Sequence, residues 1–386
     1  MKRIALPFVL VFIYHVTVAQ VEVSNLLCEN LSNPVGLDIT QPRLSWQLAS
    51  DKRNVTQMAY EIKVTSGKSV AWSSGKINSD SSVHVVYKGS PLQSGTKYSW
   101  QVRVWDNAGK ASAWSQPAFW QMALLNPADW KAKWIEQGFA EDTINRPTPL
   151  FRKEFRAGKK ILSATAYITA HGMYEGYING KRIGDFYLTP GWTSYNKRLQ
   201  YQTYDVIGLL TQGSNVIAMA LGSGWYRSHL AWEDNKNVYG KNAALLFQLD
   251  ITYSDGSKES IISDDSWKST TGSITYAEIY NGEIIDARKQ RTGWRQSGYD
   301  ASGWSGVSTK DYDKSMLVAT QNEPIKKHET FTPVKIFTTP KGEKVIDFGQ
   351  NLVGWVMIRR REMQVIPSLS RMLKYWINME IFIPRI

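Results

Sequence analysis

Cysteine is almost missing from this chain: Cys28 stands alone, so no internal disulfide can staple a loop. After the first twenty residues, no apolar run is long enough to span a bilayer as a helix. Histidine is sparse, and neither His171 nor His229 has a second histidine at ligand spacing, which points away from zinc. The glycines of "GSGWY" are followed by neither a Lys-Ser/Thr pair nor a strand-to-helix context, so they make no phosphate loop. No segment repeats apolar residues at the helical period. A basic stripe is lacking too. Of the net charge of +12, Lys2 and Arg3 supply part at one end and Arg360, Arg361, Arg371, Lys374 and Arg385 at the other. The rest is scattered, and nucleic-acid binding needs clustering rather than a sum.

What is present in quantity is aromatic: 16 Trp and 19 Tyr. A length of 386 residues suits two or three domains at about 150 residues each. The opening "MKRIALPFVLVFIYHVTVAQ" has Lys2 and Arg3 before a short apolar run, then Thr17-Val18-Ala19. That pattern predicts a secretory signal peptide over residues 1–19, a periplasmic or secreted location, and no membrane span after cleavage. No cysteine follows the cleavage site, which argues against a lipoprotein.

Residues 20–123 read as a small β-sandwich, from "RLSWQL", "AYEIKVTS", "VHVVYKG" and "KYSWQVRVWD" bounded by Gly, Ser, Asn and Pro. In the last run Tyr98, Trp100, Val102 and Val104 share one face, which places Trp100 in the core facing Trp46. The pattern looks like a fibronectin type III module, including a Tyr near the start of a late strand. A linker at 124–144 leads to a second β-rich block, 145–310. In "ATAYITAHGMYEGYINGKRIGD" alternation runs up to Asn179-Gly180, a dipeptide that closes a hairpin. Leu245, Phe247, Leu249, Ile251 and Tyr253 alternate before a turn at Asp255-Gly256. Many strands without helices favour a jelly roll. A third block, 324–360, holds only the start of a further sandwich. The fold class is therefore all-β, as tandem β-sandwiches.

Five strings occur in one order: "NLLCENLSNPVGLDITQPRLSWQL", "PGWTSYNKRLQYQTYDV", "GSGWYRS", "IYNGEIIDAR" and "DFGQNLVGWV". Together, over residues 21–359, they resemble the amino-terminal half of bacterial α-L-rhamnosidases of glycoside hydrolase family 78. The resemblance implies a fibronectin-like domain, a jelly roll similar to carbohydrate-binding module family 67, and a further sandwich. In the family an (α/α)6 barrel comes next and carries the carboxylates that hydrolyse terminal α-L-rhamnose with inversion. Such a pair stands about 6.5–9.5 Å apart. Glu278, Glu283 and Asp286 crowd one strand and loop with no opposed cleft indicated, so no catalytic residue is assigned here. The expectation is an accessory half, inactive alone, that would pack against a missing catalytic domain; alternatives are a free-standing rhamnose-binding module and a structural scaffold.

A sugar site needs flat apolar faces and a few fixed polar groups. The candidates are Trp225, Tyr226, Arg227, Trp232 and Tyr239 in a loop-like segment, with Tyr280, Asn281, Glu283, Asp286 and Arg288. Core filling by Trp225 or Tyr280, and an Asp286–Arg288 bridge that fixes a loop, remain open. Family 67 modules use calcium, for which Asn281, Glu283, Asp264 and Asp265 are conceivable ligands, although no calcium-loop spacing is visible.

After Arg360 the strand pattern lapses, and residues 361–386 read as the product of a shifted reading frame. In the shifted frame Met363 before Gln364 forces alanine, Trp376 before Ile377 forces aspartate, and Met379 before Glu380 forces glycine. A stop-free reading built on these resembles the family's own sequence beyond "GWV".

Overall fold

The structure, a computed structural model, describes residues 21–230, 235–320, 322–360 and 377–384. The signal-peptide expectation at 1–19 therefore lies outside the described residues. Contact density divides the chain after Leu125.

The first unit has nine strands among the described residues: β1 (Glu22–Cys28), β2 (Val35–Leu37), β3 (Arg43–Ala49), β4 (Gln57–Ser66), β5 (Ser69–Ser73), β6 (Ile77–Asn78), β7 (Val85–Val86), β8 (Lys97–Asp106) and β9 (Ala118–Met122). One sheet runs β1-β3-β7; the other runs β2-β9-β8-β4-β5, with β6 on β4. The alternation of β8 is realised: Tyr98, Trp100, Val102 and Val104 are all buried. Each fully buried Trp takes roughly 200 Å² out of water, worth about 5 kcal/mol before chain entropy is counted. Tyr98 makes a tyrosine corner, accepting the Gln93 backbone N–H at 3.1 Å and stacking on Trp120. Trp46 shares the cluster with Trp100, but its ring neighbour is Tyr60 and its Nε1 donates to Gln57. Cys28 is buried, and burial pushes its thiol up, away from reactivity.

The second unit begins with β10 (Trp134–Gln137), β11 (Pro149–Ala157), β12 (Ile161–His171), β13 (Met173–Ile178), β14 (Lys181–Arg182), β15 (Leu199–Asp205) and β16 (Gly213–Gly222). A four-residue helix, α1 (Gly224–Arg227), precedes β17 (Ala244–Tyr253), β18 (Lys258–Ile262), β19 (Lys268–Thr271), β20 (Ile274–Glu278), β21 (Gly282–Ile285), β22 (Val307–Lys310) and β23 (Leu317–Ala319). One sheet is ordered β22-β10-β17-β12-β15-β23 with β18 on β17; the facing one is β14-β13-β16-β11-β19. Their common core includes Phe151, Ile168, Met219, Phe247, Leu249 and Trp267, all with no exposed surface.

One long alternating run in the sequence turns out to be two strands in different sheets. β12 ends at His171, Gly172 takes φ +130°, and β13 starts in the opposite sheet. A Cβ on Gly172 would stand 2.4 Å from the Gly222 carbonyl oxygen, so only glycine fits this crossing. Asn179 and Gly180, at φ +51° and +79°, close the β13–β14 hairpin as their chemistry requires. Gly256, at φ +83°, turns β17 into β18.

The remaining strands are β24 (Lys327–Phe331), β25 (Lys335–Thr338), β26 (Lys344–Asp347), β27 (Trp355–Arg360) and β28 (Ile377–Pro384). They pair as β24-β28-β27 and β25-β26. Residues 361–376 and 385–386 of the tail lie outside the described residues. The stretch 377–384, expected to lack a pattern, is a strand paired on both edges. Ile377, Met379, Ile381 and Ile383 recur at every second position, with Asn378, Glu380 and Phe382 between them. Among the described residues no helix is long and apolar enough to cross a membrane.

Candidate functional site

The segment after β16 is not all loop, as its composition suggests. Its first residues wind one helical turn, Gly224–Arg227, with Trp225 and Tyr226 half-buried. Gly224 starts the turn at φ +54°, with Met173 and Gly172 pressed against it. This fixes where the two rings point. Trp225 lies parallel to Trp192 (centroids 5.9 Å, planes 6° apart), and Trp192 is half exposed. The Trp192 Nε1 donates to the Tyr239 hydroxyl at 3.2 Å, and Tyr195 packs edge-on to Tyr239. Tyr226 stacks on His171 at 4.5 Å with planes 3° apart, and His171 stacks on buried Trp134 at 4.3 Å. The result is a column of rings from the core outward, ending in the Trp192–Trp225 pair.

Trp225, Tyr226 and Tyr239 are thus brought together, and Trp192 and Tyr195 join them. The "PGWTSYN" loop carries a signal for the last two, a Trp beside Pro-Gly, that composition alone does not single out. Trp232 lies outside the described residues. Arg227 departs from the expectation. It is 1% exposed, with its Nη1 on Glu141 Oε1 at 2.7 Å and on the Lys241 carbonyl oxygen. Its charge is spent on an internal ion pair, where one partner without the other would be costly.

The second candidate group lies on the β20–β21 hairpin, joined to the first by a contact absent from the sequence pattern. His229 Nδ1 and Glu278 Oε2 are 2.6 Å apart, and Asn281 Nδ2 donates to the same oxygen at 3.0 Å. Burial pulls the Glu278 carboxyl up. The bonds from His229 and Asn281 outweigh it and hold the group below the usual range. Tyr280, at 59% exposure, is no core residue. Glu283 is exposed on β21. Asp286 accepts from Arg288 Nε at 2.8 Å and caps the following turn, so this pair fixes a loop. That bond keeps the Asp286 carboxyl low, against the upward push of partial burial.

The conceivable calcium ligands do not converge. Asp264 is held by Lys153 at 2.9 Å and by Ser266, at the turn after β18, while Asn281 bonds Glu278 on the hairpin. Among the described residues no three His, Cys, Asp or Glu side chains form a metal-holding group.

Comparison with known proteins bears on this geometry. Residues 159–329 match a family model described as the α-L-rhamnosidase N-terminal domain, and residues 23–126 one described as a Rha78A-like N-terminal immunoglobulin domain. An α-L-rhamnosidase of Formosa agariphila is 32% identical over 373 residues, covering 88% of this chain and 39% of that protein. One from an Alteromonas species is 36% identical, covering 84% of this chain and 37% of its own length. The chain carries the amino-terminal domains of the α-L-rhamnosidase family. It spans about two fifths of the length of these rhamnosidases, in their amino-terminal part. The crystal structure of native α-L-rhamnosidase from Aspergillus terreus superposes with a TM-score of 0.83 at 38% identity, covering 88% of this chain and 40% of that one. That of the Streptomyces avermitilis α-L-rhamnosidase complexed with L-rhamnose gives 0.79 at 27%, covering 88% and 50%. The aromatic column's Trp192, Trp225 and Tyr226 and the whole hairpin fall inside the matched rhamnosidase N-terminal domain.

Proposed function

We propose that this chain is the accessory, non-catalytic portion of an exported α-L-rhamnosidase, presenting rhamnose-containing glycan to carboxylates carried elsewhere in the full-length enzyme. The observation that carries the reading is the pair of matched amino-terminal domains, in a chain spanning about two fifths of its rhamnosidase relatives. The chemistry of the hairpin supports it. Inverting hydrolysis needs one carboxylic acid with a raised pKa facing a carboxylate base across a water. Glu278 and Asp286 are both held low, each by a fixed partner, and neither suits the acid's role.

The glycan-facing surface in this reading is the Trp192–Trp225 pair, flat, apolar and edged by the Tyr239 hydroxyl. The test is retention of a rhamnose-containing polysaccharide in affinity electrophoresis, with and without chelator. Retention that weakens severalfold in Trp192→Ala supports the reading, and undiminished migration of the wild-type chain contradicts it.

A second reading, structural support for the rest of the relatives' length, is favoured by exposed Val334, Ile336 and Val353, at 70%, 53% and 60%. Exposed apolar side chains on and around β25 and just before β27 suit a packing face. Self-association of the isolated chain, relieved by polar substitution at Val334 and Ile336, is its expected signature.

A further inference from the structure

The outer face of the larger sheet in the first unit gathers cations that lie far apart in sequence. β4 and β8 pair in a register that sets Glu61 beside Arg103, Lys63 beside Gln101 and Thr65 beside Ser99. The residues between them, Ile62, Val64, Val102 and Val104, fill the core, so this set points outward. Phe119 of β9 stands next to Ser99 in the same row. Lys63, Lys76 and Lys97 are exposed. The acidic residues in the strands of this sheet are Glu61 and Asp106. Asp106 is buried and accepts the Ala108 and Lys110 N–H groups in the turn after β8. Glu61 meets Arg103 at 2.7 Å, and among the described residues none of the three lysines is ion-paired.

Aromatic rings hold these cations instead. The Lys97 ammonium lies 3.7 Å from the Phe119 centroid and that of Lys76 4.5 Å from Trp105. The Arg103 guanidinium lies 5.0 Å from Trp105 and 4.9 Å from Trp114. A ring attracts a cation through its quadrupole, by about 0.5–1 kcal/mol at an exposed site, and leaves the net charge intact. A carboxylate partner would cancel it. Side chains fixed in this way also have less rotamer freedom to lose when an anion arrives.

The sheet itself limits what the anion can be. β8 lies between β9 and β4, and β4 between β8 and β5 with β6, so neither offers a free backbone edge to an extended peptide. From Lys97 to Arg103 the strand runs about 20 Å, at roughly 3.4 Å per residue. Cations this sparse do not match nucleic acid, with one charge per about 3.4 Å of strand. They suit a chain that carries one carboxylate per sugar ring. Half-buried Trp105 and Trp114 add flat apolar surface for sugar C–H groups.

We propose that this sheet face is a docking surface for a polyuronate, an acidic polysaccharide with one carboxylate per unit. The inference uses none of the residues of the Trp192–Trp225 face and stands or falls separately from it.

Affinity electrophoresis of the full chain through polygalacturonate is the test. Retardation is expected at low salt, fading as salt rises, and neutral dextran should cause none. Replacing Lys63, Lys76 and Lys97 together by Gln should weaken retardation at least tenfold. The matched control replaces Lys52, Lys88 and Lys110 by Gln, exposed residues in turns or beside the other sheet, and should change it less than twofold. Circular dichroism checks that both variants fold. No retardation of the intact chain overturns the proposal, as does equal slowing by dextran. Equal losses in the two triple variants overturn it too, since net charge alone would then be at work. Polyglutamate retarding the chain as strongly as polygalacturonate overturns it in favour of an acidic peptide.

Discussion

His229 and Glu278, 49 residues apart in sequence, meet at 2.6 Å and pin the β20–β21 hairpin to the segment that carries Trp225 and Tyr226. The Glu278 side chain is 4% exposed and the His229 side chain 30%, so the contact is partly buried and less screened than a surface pair.

Breaking it should loosen the hairpin. Glu278→Gln keeps the shape but removes the charge, and the loss expected is about 1–3 kcal/mol. Since the folded carboxyl is held low, its contribution is present above the unfolded pKa near 4.5 and fades as pH falls through the folded value. Hydrogen exchange at residues 274–285 should accelerate in the variant, and the acid limb of its melting curve should flatten. Exchange identical to wild type would show that the contact is idle.

His171 gives the opposite protonation case. Sandwiched between Trp134 and Tyr226, it is driven down to about 4 by burial. The unfolded chain then binds a proton between about pH 6.5 and 4 that the folded chain refuses. Stability therefore falls with pH through that window and levels off below it. At about 1.4 kcal/mol per pKa unit the total is of order 3 kcal/mol. His171→Phe retains the ring stack without the titration, so its melting temperature should lose less between pH 6.5 and 4 than the wild type's.

Gly224 should not accept a side chain. At φ +54° an L-residue is strained, and a Cβ would sit 2.6 Å from Met173 Cγ and 3.0 Å from the Met173 nitrogen. Gly224→Ala is expected to cost about 2 kcal/mol or more, a fall in Tm of roughly 4–8 °C for a unit of this size. Because the strain sits at the base of the Trp192–Trp225 pair, tryptophan fluorescence should shift as well.

Much of the scaffold could be read from period-2 patterns. The face of β8, the Asn179-Gly180 hairpin and the core side of β17 come from alternation and turn chemistry that act over a few residues. Gly172 was illegible for the same reason. Alternation continues through it, and only the nearness of Gly222, fifty residues later, shows the change of sheet. Arg227 misled because a guanidinium buried on Glu141 reads like one exposed to a sugar; the difference is tertiary. Between Ile377 and Ile383 the period of two is blurred by Phe382 and by the unpatterned residues before it. Trp192 becomes visible as the partner of Trp225 only when distant loops are brought together.

The most direct test is to incubate the purified chain with nitrophenyl α-L-rhamnoside and follow nitrophenol. Release no faster than the buffer blank is the result this account predicts, at any pH from 4 to 8. Release above the blank that disappears in Glu278→Gln would contradict it, since a carboxyl held by His229 would then be cleaving the bond.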